Sequence, residues 1–402
     1  MIINELLNSF NRNDYDRENF DKFLKHINFK FNIPSIHIAG TNGKGSTARY
    51  ISSIYEKAGY KTGLFTSPYF DEVNEMISVD SELIPNEEFI SIFKNNEKLF
   101  KKFDLSAFEI ETFIAFEYFK KQGCEICVIE CGMGGEIDAT NIFTPVLSII
   151  TSVSLEHTEF LGHTLTEISQ QKAGIFKEEV PVLIGDFQED VMSVLHKEAR
   201  DLECKVHYIS KYNNLIFDNG YKFDYGPYKE VRISSYGKYS VVDASFAIEA
   251  IEILKEDFPV DEETVKEALQ ECHNKCRMEI VNNNPIIILD GAHNPEAAKK
   301  TVEAVNEIYG DKNIHVLFAC FRDKNLPGLL SNFGSLGSDL TLSTFPHPRA
   351  RTQEEYFLYL EDYKFAAEPL SFLENLIKEC PEDIILITGS LAFVSYIKRN
   401  LK

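Results

Sequence analysis

The stretch SIHIAGTNGKGSTARYISSIYEKA, residues 35–58, decides how the chain is read. Ser35–Ala39 is an apolar run of strand length. Ala48, Ile51, Tyr55 and Ala58 then recur at helical spacing until Gly59 stops the pattern. Between the two lies Gly40-Thr41-Asn42-Gly43-Lys44-Gly45-Ser46-Thr47. Glycines let a backbone curl until several N–H groups point inward, and a helix start adds partial positive charge. This strand–loop–helix therefore predicts a phosphate cradle, with Lys44 as a point charge for the outer phosphates and Ser46 offering a hydroxyl to Mg²⁺. The strict G-x-x-x-x-G-K-[ST] spacing is not met, because Gly45 separates Lys44 from Ser46 and residue 38 is Ile. A Gly-rich turn with an incidental lysine is the competing reading, and the flanking strand and helix favour nucleotide phosphate.

Outward from this loop, short apolar runs keep alternating with amphipathic helical patterns. Strands are expected at Lys61–Phe65, Ile126–Glu130, Val146–Thr151 and Val180–Ile184, with an apolar helix around Phe113–Phe119. From Asp186 to Tyr239 the pattern turns irregular, and a small antiparallel appendage or loops are expected there. Helical periodicity resumes at Val242–Leu254 and Asp261–Cys272. A second α/β unit begins near Arg277, with strands at Ile286–Leu289, Ile314–Ala319, Leu340–Phe345 and Ile384–Thr388. Pro295 opens a helix there whose Ala298, Val302, Val305 and Ile308 share one face. The fold class is thus α/β, a mostly parallel sheet followed by a smaller α/β domain, divided into residues 1–275 and 276–402.

Among 402 residues, 41 Lys and Arg stand against 63 Asp and Glu, a net charge of −22. Such an excess disfavours nucleic acid and anionic membrane as partners, since both need a basic face. The N-terminus lacks a basic start followed by an apolar run, and no stretch reaches the roughly 18 apolar residues of a membrane span. Eight cysteines are too sparse for a disulfide scaffold, so a reducing cytoplasm is expected, with the protein acting as a monomer.

Further candidates sit at strand ends, where open α/β sheets place their ligands. Glu130 closes one apolar strand ahead of Gly132-Met133-Gly134-Gly135 and Asp138-Ala139-Thr140-Asn141, and reads as a hard oxygen ligand beside the phosphate loop. His157 follows the next strand within Leu155-Glu156-His157. Lys172, in Gln171-Lys172-Ala173-Gly174, reads by pattern alone as a solvated helix lysine. Asp290-Gly291-Ala292-His293-Asn294-Pro295 repeats strand, turn and helix start in the second unit, as does Thr388-Gly389-Ser390. Cys124, Cys127 and Cys131, and the pair Cys272 and Cys276, lack matching ligands nearby and read as structural.

Taken together these motifs resemble one family, the folylpolyglutamate synthase/dihydrofolate synthase branch of the Mur ligase superfamily. HIAGTNGKGST, LFTSP at Leu64–Pro68, FEIET at Phe108–Thr112 and IECGMGGEIDATN at Ile129–Asn141 carry the likeness. So do EHTEFLGHTLTEISQQKAGI from Glu156, LDGAHNP at Leu289–Pro295, Arg322-Asp323-Lys324 and TGSLAFV at Thr388–Val394. The resemblance implies a P-loop-type central ATP-binding domain and a Rossmann-like C-terminal glutamate-ligase domain. It implies an ATP- and Mg²⁺-dependent ligase joining a pteroate or folate carboxylate to L-glutamate through an acyl phosphate. Carried over by position, Thr41, Asn42, Gly43, Lys44, Gly45 and Ser46 would cradle the phosphates. Asp243, Arg277 and Asp290 would contact the nucleotide, and Ser67, Glu130 and His157 would hold Mg²⁺. Lys172 would be carbamylated and able to hold a second Mg²⁺, Phe108, Glu109, Ile137, Asp138 and Ala139 would face the pterin-bearing substrate, and His293 and Ser390 would line the glutamate pocket.

The chain also departs from the family pattern. Tyr69 stands where the family has His, Asn74 and Met76 stand at arginine positions, and Glu136 replaces an Arg. Asp243 replaces the usual Asn, Glu156 the usual Asp, and Asn274-Lys275-Cys276 a Trp-containing approach. An arginine fork on a carboxylate contributes about 1.5–3 kcal/mol. A cluster of lost positive charges around the acceptor loops therefore predicts shifted acceptor specificity.

Overall fold

The computed structural model describes residues 2–10, 12, 16–336 and 339–401. They fall into two compact units, the first running mainly to Cys272 and the second comprising mainly His273 onward.

The first unit is built on an eight-stranded sheet. Its strands are β1 (Ser35–Ala39), β2 (Thr62–Phe65), β3 (Ile77–Val79), β4 (Glu82–Leu83), β5 (Ile126–Glu130), β6 (Leu147–Ile150), β7 (Val182–Ile184) and β8 (Val206–Tyr208). Their order is β4-β3-β2-β5-β1-β6-β7-β8. β1 lies parallel between β5 and β6, while β3 runs antiparallel to β2 and β4 antiparallel to β3. Strands covered on both faces read as continuous apolar runs, and β1, β2, β5 and β6 are buried throughout. The chain has 31 Phe and no Trp. Phe23, Phe65, Phe89, Phe93, Phe100, Phe113 and Phe116 are packed in one core with the helices Glu18–His26, Asn86–Lys102 and Ala107–Gln122. Phe23 and Phe113 meet edge to face, with ring centroids 5.0 Å apart.

The region from Asp186 to Tyr239 is more ordered than its sequence pattern predicts. It opens with the helix Glu189–Asp201, whose Val191, Leu195 and Ala199 are buried. A three-stranded sheet follows, made of β9 (Asn213–Phe217), β10 (Tyr221–Tyr225) and β11 (Tyr228–Ile233). The connections are too short for parallel crossovers, so this sheet is the antiparallel appendage expected. The helix was hidden because its apolar positions are sparse among charged ones.

The second unit carries a six-stranded sheet of β12 (Glu279–Asn283), β13 (Ile286–Leu289), β14 (Ile314–Phe318), β15 (Asp339–Ser343), β16 (Lys364–Ala366) and β17 (Ile384–Thr388). The order is β12-β13-β17-β14-β15-β16, parallel except for β12 at the edge. Asn294 caps the helix Pro295–Tyr309 by accepting from the Ala297 N–H, with Pro295 at its first position. Among the described residues no helix is long and apolar enough to cross a membrane. None of the eight cysteines forms a disulfide.

Candidate active site

The glycine loop joins the carboxyl end of β1 to the helix Lys44–Lys57, with Gly43 as its N-cap at φ 85°. Only glycine adopts that left-handed backbone without strain. A Cβ there would also lie 2.5 Å from Asp243 Oδ1, so the Asp243 carboxylate rests directly against the loop. Gly45, the residue that breaks the usual spacing, has its own reason. A Cβ at this position would come within 3.1 Å of Glu130 Oε2. The extra glycine makes room for a carboxylate at the phosphate loop.

Glu130 ends β5, the strand beside β1, and is 3% exposed. Its Oε2 accepts the backbone N–H of Ser67 at 3.0 Å, so Ser67, Glu130 and the loop converge. Lys44 donates to the carbonyls of Gly40 and Thr41 at 3.1 and 3.3 Å, folded over the loop it would serve. Ser46 is buried in the first turn of the helix. These hard oxygen donors, beside a loop with little room for a Cβ at Gly43 or Gly45, fit Mg²⁺, which favours carboxylate and hydroxyl ligands next to phosphates.

The segment after β6 holds the loop in shape, and sequence reasoning missed it. Thr41 N–H donates to Ser152 O and Asn42 N–H to Ser152 Oγ, while Thr151 Oγ1 donates to Asn42 O at 2.7 Å. Ser154 N–H donates to Thr41 Oγ1 at 3.0 Å. The available signal was three hydroxyl residues at the carboxyl end of an apolar strand. His157 comes three residues later, exposed and left-handed at φ 50°, at the start of the helix Thr158–Leu161.

Lys172 overturns its solvated reading, since it is only 2% exposed. Burial and then the Lys44 ammonium push its amine down to about 7, with Glu156, Cys131 and Asp138 acting in the opposite direction. Burial thus works against the charged form of this amine.

The predicted acceptor residues divide by what they touch. The Phe108 ring lies over Gly132, where a Cβ would meet Cζ at 2.5 Å, and its centroid is 6.0 Å from that of Phe65. Glu109 forms a capping box with Ser106, accepting its N–H at 2.6 Å. Asp138 accepts from the Met133 and Thr140 N–H groups and the Thr140 hydroxyl, so its carboxylate shapes the 132–141 loop. Ala139 is packed in the aromatic core, and Ile137 is half-buried. Of the departures, Met76 is buried in that core, and Asn74 Nδ2 donates to Ile84 O and Asn86 Oδ1.

In the second unit, β13 and β17 end side by side, and Asp290 N–H donates to Ile387 O. The Asp290 carboxylate accepts four bonds, from Tyr239 OH, Met278 N–H, Ala292 N–H and Thr301 Oγ1. It is therefore a fastener of its own loop as well as a candidate contact. Arg277 lies over Gly291, where a Cβ would meet Nη1 at 2.9 Å, and His293 Nδ1 is 2.9 Å from Gly291 O. Ser390, buried, starts the helix Leu391–Asn400 beyond Gly389.

Residues 38–250 match the model of the Mur ligase middle domain, and residues 276–391 that of the Mur ligase glutamate ligase domain. Bacillus subtilis dihydrofolate synthase/folylpolyglutamate synthase is 31% identical over 392 residues, covering 92% of this chain and 91% of that protein. This chain belongs to the folylpolyglutamate synthase/dihydrofolate synthase family of Mur ligases. Two solved structures of this family superpose on it. Thermotoga maritima folylpolyglutamate synthase does so with a TM-score of 0.86 at 27% identity, covering 100% of this chain and 97% of that one. The E. coli FolC complex with ADP, without folate substrate, gives 0.89 at 25% identity, covering 99% and 97%. The Mur ligase fold thus places the glycine loop on a scaffold that holds ADP in a family member.

Proposed function

We propose that the chain is an ATP-dependent amide ligase that joins L-glutamate to a pteroate or folate carboxylate. The observation that carries this is the buried Glu130 carboxylate, bonded to the Ser67 N–H and admitted to the phosphate loop by Gly45. A pure nucleotide binder has little need of such a metal-holding group, and neither a regulator nor a ligase for some other acid is favoured by the family relatives. The acceptor carboxylate attacks the γ-phosphoryl group of ATP and ADP leaves. The glutamate amine then attacks the acyl phosphate carbonyl and inorganic phosphate departs.

Thr41, Asn42, Gly43, Lys44, Gly45 and Ser46 hold the phosphates in line, with Asp243 against the loop; positioning and charge neutralisation supply most of the catalysis in phosphoryl transfer. Bound Mg²⁺, held by Ser67, Glu130 and His157, would neutralise charge on the transferring phosphoryl group. Lys172, whose charged form burial disfavours, would add through its nitrogen to CO₂ and release one N–H proton to solvent, and the resulting carbamate could hold a second Mg²⁺. Phe108, Glu109, Ile137, Asp138 and Ala139 form or shape the acceptor side. Arg277 and Asp290 serve the nucleotide, and His293 and Ser390 the glutamate, from the 276–402 domain that follows the ATP-binding domain of residues 1–275. The partners are small molecules.

The test is ADP release from Mg·ATP. Release that requires both a pterin acid and glutamate supports the proposal, and release that ignores either one overturns it. Running dihydropteroate and folates of several glutamates in parallel reads the acceptor preference expected from Tyr69, Asn74, Met76 and Glu136. Equal efficiency with both removes the case for a shift.

A further inference from the structure

The segment Cys380-Pro381-Glu382-Asp383 is a tight turn. The Asp383 N–H donates to Cys380 O at 3.3 Å, with Pro381 at the second position that such turns favour. The turn brings the first and fourth side chains near each other just before β17. The neighbouring strand β14, in register Ile314 to Ile384, adds His315 from its second position. His315 Nε2 lies 2.9 Å from Asp383 Oδ2, and one ligand atom from each of His315, Cys380 and Asp383 falls within 4.8 Å of the others. Among the described residues this is the one such group of three His, Cys, Asp or Glu side chains.

We propose that His315, Cys380 and Asp383 form a binding site for a borderline-soft divalent ion of the Zn²⁺ class. Metal bonds of about 2.0–2.3 Å set ligand atoms roughly 3–4 Å apart, which these three reach by small side-chain rotations. Thiolate with imidazole selects Zn²⁺ or Co²⁺ over Mg²⁺ and Ca²⁺, and three protein ligands leave a fourth position for water. Asn313 Nδ2 donates to Asp383 Oδ1 at 3.3 Å, orienting the carboxylate so that Oδ2 faces the imidazole. Asp383, Glu379 and Asp339 make the surroundings of Cys380 negative, a field that draws a cation. All three ligands are half-buried, so an ion reaches them from solvent.

The site stands at the amino end of β14 and β17. Ser390 and His293 follow the carboxyl ends of β17 and β13, a strand length away, on the order of 15 Å. The transition-metal site is therefore separate from the residues assigned to nucleotide and glutamate. Binding exchanges the Cys380 thiol proton for the metal: an S–metal bond forms, the S–H bond breaks, and the proton goes to solvent.

The experiment is a Co²⁺ titration of the reduced, chelator-stripped full-length protein, followed in the near ultraviolet. One equivalent should raise a thiolate-to-cobalt charge-transfer band that Zn²⁺ abolishes and millimolar Mg²⁺ leaves in place. Cys380→Ser should remove the band while keeping the basal ligase rate. His315→Gln and Asp383→Asn, which preserve hydrogen bonding, should each weaken Co²⁺ at least tenfold. A titration without the band, a band surviving in Cys380→Ser, or displacement by Mg²⁺ overturns the proposal and leaves a hydrogen-bonded trio without an ion.

Discussion

At the scale of single residues, the loop's extra glycine separates activity from stability. Gly45 lies within the helix Lys44–Lys57, where alanine is the better helix former by up to about 1 kcal/mol. Its Cβ would nonetheless press on Glu130. Gly45→Ala should therefore lower kcat severalfold with no fall in Tm, since Glu130 must give way by a few tenths of an ångström and rate is sensitive to the placement of reacting groups. Lys172 argues through charge. Its amine is depressed from the ordinary 10.5 to about 7. The unfolded chain binds the extra proton between those values, so stability rises with pH across that window. Lys172→Arg keeps its charge at every working pH and should abolish ligation, measured as ADP release from pH 6 to 9. Glu111 runs the other way, because burial raises it from 4.5 to about 8. The folded state holds that proton, and the stability it confers is lost as pH rises from 4.5 through 8. Glu111→Gln, isosteric with the neutral acid, should flatten that loss, on the order of a few kcal/mol, in denaturant titrations at pH 5 and 8.5.

At the scale of elements, caps and periodicity fix what can be read. Ser106 and Glu109 satisfy each other's backbone N–H groups at the start of the helix Ala107–Gln122. Ser106→Ala should lower stability by about 1 kcal/mol, visible as a reduced denaturation midpoint. β1, β5, β6, β13, β14 and β17 were legible because buried parallel strands are uninterrupted apolar runs. The helix Glu189–Asp201 was not, since its three buried positions are spread through a charged surface face. Lys172 failed for a related reason. Helical spacing says which face a residue occupies, but burial is set by what packs there in three dimensions, as where the backbone of Gly135 comes so close that a Cβ would lie 2.8 Å from Lys172 O. The phosphate loop and Glu130 were legible because strand ends and glycines are local signals. Thr151, Ser152 and Ser154 were not, because their partners lie about 110 residues earlier in the chain.

For the whole molecule, nucleotide should act as a folding ligand. Mg·ADP at about 100 times its Kd should stabilise the protein by about 2.7 kcal/mol, raising Tm in a manner that EDTA reverses. A net charge of −22 also means that triphosphate approaches a chain of its own sign, so binding depends on local donors rather than long-range attraction. The loop is held in shape by the segment following β6, whose Ser152 accepts the Thr41 and Asn42 N–H groups. A loop shaped by its neighbouring strand before any ligand arrives has little left to organise on binding. The backbone amides of Thr41 and Asn42 should then exchange with deuterium slowly in the nucleotide-free protein, and ADP should slow them only modestly further.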